Sequence, residues 1–132
     1  MLILAIKWGQ AEIAELLISA GANVNVINRA DNGSTPLHWA AGATIAIPSV
    51  AIAKLLLAKG AYVDTMTRAE TTPLMWAAQS KEESALDVAE LLLAHGASLH
   101  CQGFDGTALQ YAKDSHNPRM VEFLENAARR PK

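Results

Sequence analysis

The 132-residue sequence predicts an all-α fold, a solenoid of four stacked helix-turn-helix units joined by hairpin-like loops. Three observations carry that prediction. The segment Thr35-Pro36-Leu37-His38-Trp39-Ala40-Ala41 returns 37 residues later as Thr72-Pro73-Leu74-Met75-Trp76-Ala77-Ala78, and 35 residues further on, altered, as Thr107-Ala108-Leu109-Gln110-Tyr111-Ala112. A second mark, Gly21-Ala22-Asn23-Val24-Asn25, recurs as Gly60-Ala61-Tyr62-Val63-Asp64 and Gly96-Ala97-Ser98-Leu99-His100, each time after a leucine-rich stretch. The composition, 51% hydrophobic but only 5% aromatic, is what an alanine- and leucine-rich helical stack produces. A period in this range means supersecondary units that bury their apolar faces against neighbours instead of one globular core.

Each element has a local reason. Threonine before proline starts a helix: the hydroxyl caps first-turn amides, and proline at the first helical position has no amide to leave unpaired. The alanines at 40, 41, 77, 78 and 112 are small enough for helices to approach closely, and Leu55-Leu56-Leu57 and Leu91-Leu92-Leu93 supply the apolar face of the second helices. A glycine after each second helix suits a left-handed residue ending it. Second helices carry start signals of their own: Asn117-Pro118, Pro48, and a capping box from Ser80-x-x-Glu83 or Ser84-x-x-Asp87. Helix pairs are expected at about 2–8 and 11–19, 36–43 and 48–58, 73–80 and 85–94, and 107–113 and 118–128. They form one domain over 1–132, with repeats at about 1–28, 29–66, 67–102 and 103–132.

At these residues the chain resembles the ankyrin-repeat family, whose unit reads roughly G-x-T-P-L-H-x-A-A-x-x-G-x-x-E-I-V-x-L-L-L-x-x-G-A-x-V-N. Repeat two matches at Gly33, Thr35 to His38, Ala40, Ala41, Leu55 to Leu57, Gly60, Ala61 and Val63. Repeat one lacks the Thr-Pro opening yet keeps Ala5, Gly9, Glu12, Ile13, Leu16, Leu17, Gly21, Ala22, Val24 and Asn25. Repeat four keeps Gly106, Thr107, Leu109, Ala112, Val121 and Leu124. The resemblance implies a non-catalytic module that binds another protein with its first helices and hairpin tips, which form the concave face. It also implies that His38 hydrogen-bonds backbone in the neighbouring turn.

Composition narrows the function classes. A net charge of −2 offers no basic footprint for nucleic acid. Cys101 is the one cysteine, which rules out an internal disulfide. No apolar run reaches the ~18 residues that span a bilayer, and Met1 to Ile6, interrupted by Lys7 and Gln10, lacks the basic start of a signal peptide. The expected setting is cytoplasmic. His95, His100 and Cys101 cluster in sequence without a second ligand pair at metal-site spacing. Glu82, Glu83, Asp87 and Glu90 read as a solvated turn and helix surface rather than a paired acid and base. With no glycine-rich phosphate loop, no reaction, metal or cofactor is indicated.

Departures from the family unit mark where individual function should show. From the opening threonine to the first residue of the second-helix apolar triplet the ordinary count is 16, which Thr107 to Phe123 obeys, whereas Thr35 to Leu55 counts 20 and Thr72 to Leu91 counts 19. The extra residues lie within Gly42–Ser49 and Gln79–Ser84, turns that stacking should set side by side. They are either drift in surface turns, which tolerate insertions, or a protrusion that touches a partner. The expected function is a non-catalytic adaptor or scaffold module that uses the concave face and these enlarged turns; the alternative, which the unusual turns and the short chain favour, is a small inhibitor or immunity-type protein that blocks a partner enzyme.

Aromatic residues form a second departure. Position five of the opening motif holds Leu4, Trp39, Trp76 and Tyr111, so Trp39, Trp76 and Tyr111 are candidate partner anchors, or else stack against adjacent helices for stability. The hairpins differ in length: Val26–Asn32 is two residues longer than the family spacing, and Cys101–Asp105 one shorter. By location, Arg29, Asp31, Arg68, Glu70, Phe104 and Asp105 are candidate contacts. The C-terminal helix has a polar outer face in Glu122, Glu125, Asn126, Arg129 and Arg130, as a solenoid end requires. The first helix carries Leu2, Ile3, Leu4, Ile6 and Trp8 with neighbours on only some sides. Exposed apolar surface there is expected, covered by an upstream repeat or by self-association through the first helix.

Overall fold

Each threonine-initiated step starts a helix, and each Gly-Ala step ends one. The computed structural model describes residues 2–8, 10–29, 33–42, 50–80, 84–99, 103 and 106–129, and among them the chain forms eight helices. They are α1 (Leu2–Lys7), α2 (Ala11–Ser19), α3 (Pro36–Ala41), α4 (Val50–Ala58), α5 (Pro73–Gln79), α6 (Ser84–Ala94), α7 (Ala108–Asp114) and α8 (Pro118–Arg129). All eight expected helices are present. The expected turn insertions at 43–49 and 81–83, with Pro48, lie outside the described residues.

The starts follow the capping chemistry with one variation. Thr72 Oγ1 accepts the Met75 amide at 3.3 Å, and Thr107 Oγ1 the Gln110 amide at 3.4 Å. At Thr35 the side chain three residues on reaches back, His38 Nδ1 accepting the Thr35 amide at 3.1 Å. Asn117 Oδ1 accepts the Met120 amide at 3.3 Å ahead of Pro118, the first residue of α8. Of the two serine boxes, one has its cap at Ser84, which is itself the first helical residue of α6, while Glu83 of the Ser80 box lies outside the described residues. At the other end, Gly60 takes φ +93°, and the Ala61 amide donates back to the Leu56 carbonyl at 3.0 Å. Gly21 and Gly96 repeat this turn, which a side chain would strain.

The pairs stack in register. First helices pack on first helices, α1 on α3, α3 on α5 and α5 on α7; second helices pack on second helices, α2 on α4, α4 on α6 and α6 on α8. The alanines at 40, 41, 77, 78 and 112 are fully buried between the first helices, where a larger side chain would push the rows apart. Of each leucine triplet the middle member, Leu56 or Leu92, is fully buried and its neighbours are partly so.

Polar side chains pin one repeat to the next. Asn25 Oδ1 accepts the Tyr62 amide at 2.9 Å while its Nδ2 donates to the Gly60 carbonyl at 3.1 Å. One unit on, Asp64 Oδ1 accepts the Ser98 amide at 3.1 Å. This explains the Asn or Asp that closes the first two Gly-Ala segments. Asn117 Nδ2 reaches the Ser80 carbonyl at 2.9 Å, tying the start of α8 to the end of α5.

The solenoid ends differ from expectation in detail. Leu2, Ile3 and Ile6 are buried, because α1 turns that side toward α2 and α3. Exposure falls on Leu4 and Trp8, and extends to Ile13 and Leu16 of α2. On α8, Glu122, Asn126 and Arg129 are exposed and Glu125 half-buried, a polar outer face. No helix among the described residues is long and apolar enough to cross a membrane.

Candidate binding surface

The repeated motif builds an aromatic and polar spine along the first helices. Trp39 Nε1 donates to Ser34 Oγ at 2.8 Å, and Trp76 Nε1 donates to Thr71 Oγ1 at 3.0 Å. These are the same bond in consecutive repeats. The hydroxyl sits two residues before the proline and receives the indole five residues downstream. That pairing is legible in Ser34-Thr35-Pro36 and Thr71-Thr72-Pro73 once the helix start is known, yet motif reading alone does not find it. The two indoles meet edge to face with centroids 5.4 Å apart, a favoured aromatic arrangement.

His38 crosses the boundary between repeats two and three. Its Nδ1 accepts the Thr35 amide and lies 3.0 Å from Thr35 Oγ1, and its Nε2 is 2.8 Å from the Thr71 carbonyl. An amide donor at Nδ1 and a carbonyl at Nε2 are satisfied together only by the neutral tautomer protonated at Nε2. Burial holds the imidazole down at about 4 against an ordinary 6.5, while the carbonyls of Thr71 and Thr65 pull the other way. The ring also packs against Trp76, centroids 5.0 Å apart. His38 is thus a neutral strut between repeats.

The hairpin between repeats two and three is organised by Thr67. Its Oγ1 lies 2.6 Å from Thr71 Oγ1 and accepts the Ala69 and Thr71 amides at 3.2 and 3.3 Å. The Thr67 and Thr71 backbones pair at 3.0 Å, and Glu70 adopts φ +60°, a left-handed conformation uncommon for glutamate. The loop therefore presents Arg68 and Glu70, both exposed, from a fixed frame. Gly103 of the following hairpin sits so close that a Cβ there would run into the Glu70 carbonyl. In the first hairpin Arg29 is exposed, and Asn28 bridges Ser34 in antiparallel fashion. A Cβ placed on Gly33 would meet both Ile27 and the Arg68 stem at ordinary contact distance, so the first two hairpins adjoin.

The sequence-derived contact residues therefore fall into three groups. Arg29, Arg68 and Glu70 are exposed on hairpins. Trp39 and Tyr111 are buried and Trp76 is half-buried, so the aromatic ladder packs within the stack and only Trp76 keeps a substantial free edge. Asp31, Phe104 and Asp105, like His100 and Cys101, lie outside the described residues. Ile27 and Met66, which occupy equivalent hairpin positions and are both exposed, escaped the sequence reading because an isolated apolar residue in a loop carries no periodic signal.

Among the described residues no three metal-ligating side chains converge. Asp87 and Glu90 are exposed on α6, beside an open groove shared with Arg119, Glu122 and Phe123 of α8. A second shallow groove runs between α2 and α4, lined by Glu15, Ser19, Lys54 and Leu55.

Stacked helix pairs, Thr-Pro helix starts and a bridging motif histidine together define a repeat protein of the ankyrin type. The chain belongs to the ankyrin-repeat family: the family model described as ankyrin repeats (3 copies) matches residues 1–67 and 45–129. Members of this family are generally protein–protein interaction modules and typically non-catalytic.

Proposed function

We propose that this chain is a non-catalytic adaptor or scaffold module that engages another protein through its hairpin row and the adjoining edge of its first helices. The observation that carries this reading is the rigid display of Arg68 and Glu70, with Arg29 on the adjoining hairpin, from loops whose backbone is held by internal hydrogen bonds. A pre-formed loop loses little conformational entropy on binding. Within this reading Trp76 offers a contact edge, and Trp39 and Tyr111 act by holding the helices that carry the surface. Asp31, Phe104 and Asp105 extend the same row in sequence. The setting is proposed to be the cytoplasm.

Affinity capture followed by mass spectrometry tests it. The triple variant R29E/R68E/E70R should lose the specific partner, while K54E/E90K on the second helices should keep it. Equal recovery by both variants would refute the hairpin-row assignment. The second reading, a small inhibitor of a partner enzyme, rests on the enlarged turns. A variant trimmed by four residues within 43–49 and three within 81–84 should lose the partner only under that reading.

A further inference from the structure

The first two hairpins carry one exposed pattern in two copies. Ile27-Asn28-Arg29 of the first returns in the second as Met66-Thr67-Arg68. The middle residue of each is engaged with the loop itself, Asn28 bridging Ser34 and Thr67 bonding Thr71. The flanking residues, two apart, are left on the free side. Ile27 is 59% and Met66 43% exposed, and Arg29 and Arg68 are exposed beside them.

These side chains gather where the two hairpins meet. A Cβ placed on Gly33 would lie 3.8 Å from Ile27 Cγ2 and 3.7 Å from Arg68 Cγ, so the apolar side chain of one hairpin and the cation stem of the next border one point. The acid of the second hairpin belongs to its other flank, where the Glu70 carbonyl faces Gly103. Ile27, Arg29, Met66 and Arg68 thus make an apolar and cationic junction on a chain whose net charge is −2.

Repeat spacing selects the backbone that fits this junction. Equivalent positions of packed helix pairs lie about 10 Å apart. A polyproline-type segment covers about 9 Å in three residues and returns every third side chain to the same face, whereas a β-strand turns the third residue away. Laid along the row, it sets one apolar residue on Ile27 and the next on Met66. The residue beside each then meets Arg29 or Arg68, and a carboxylate there accepts the paired hydrogen bonds that a guanidinium offers.

We propose that the partner element, within the hairpin-row reading on which this rests, is an extended acidic protein segment docked across the first two hairpins, with an apolar residue at every third position and a carboxylate beside each. Fluorescence anisotropy with labelled twelve-residue peptides and the full 132-residue chain tests this. The probe repeats Leu-Asp-Ser, and the controls repeat Leu-Lys-Ser and Ser-Asp-Ser. The native chain should bind the probe with a submillimolar Kd at low salt, and each control at least tenfold more weakly. Raising salt from about 50 to about 500 mM should weaken the probe several-fold.

R29E/R68E should weaken probe binding at least tenfold and I27S/M66S at least threefold, with far-ultraviolet dichroism unchanged. K54E/K59E makes the same change in net charge at exposed positions on and just after α4, and should alter binding less than twofold. A probe that fails to bind at about 1 mM, or binds no better than either control, overturns the proposal. Equal losses in R29E/R68E and K54E/K59E overturn it too, because net charge alone then accounts for binding. Should the peptide fail while R29E/R68E/E70R still loses the captured partner, the hairpin row stands as the binding surface and only this partner chemistry is removed.

Discussion

Replacing His38 with methionine should exchange a pH-dependent strut for a pH-independent one, and repeat three already contains the replacement. There Met75 stands at the histidine position, and its Sδ accepts the Thr72 amide at 3.4 Å, as His38 Nδ1 accepts that of Thr35. The imidazole of the unfolded chain protonates below 6.5, whereas the folded protein resists protonation until about 4. The unfolded state therefore binds the extra proton between those values. Stability is complete above 6.5, drains as pH falls through the interval, and below about 4 loses nothing more from this group. Between pH 7 and pH 4.5 the loss is about 2.5 kcal/mol. At pH 7, H38M forfeits the Nε2–H bond to the Thr71 carbonyl. That carbonyl still accepts the Thr67 amide at 3.0 Å, so the cost is about 1 kcal/mol. The two stability curves should cross near pH ~6, with the variant ahead by about 1.5 kcal/mol at pH 4.5. Urea unfolding at half-unit pH steps, followed by helix dichroism, measures the difference, and the other titrating groups cancel because both proteins share them. Parallel curves over pH 4–7 would refute a buried neutral imidazole.

Two further outcomes follow from packing. G103A should destabilise by about 1–3 kcal/mol, because the atom a Cβ would strike is the backbone carbonyl of Glu70, which cannot rotate away; a melting temperature unchanged within about 1 °C would contradict that contact. A double-mutant cycle of W39L and W76L should return a coupling of about 0.5–1.5 kcal/mol, reflecting the edge-to-face pair; additive effects in thermal unfolding would show that the indoles act independently.

Helix starts, helix ends and repeat count were all legible in the sequence because each is set by local chemistry. Thr72 caps an amide three residues away, Asn117 does the same for α8, and Gly60 ends α4, all within one turn of chain. Such signals survive translation along the repeat and announce themselves by recurrence.

Exposure, by contrast, was decided by the stack. Trp39, Trp76 and Tyr111 share one motif position, yet two are buried and one is half-buried, since each ring's cover depends on what the adjacent repeat places against it. Leu4 shows the same dependence in reverse. The partners of Asn25, His38 and Asp64 lie 33 to 37 residues away, at the repeat distance, and only stacking in register brings them within hydrogen-bond reach. Local capping and periodicity made the units; which surfaces remain free for a partner was settled by how one unit lies upon the next.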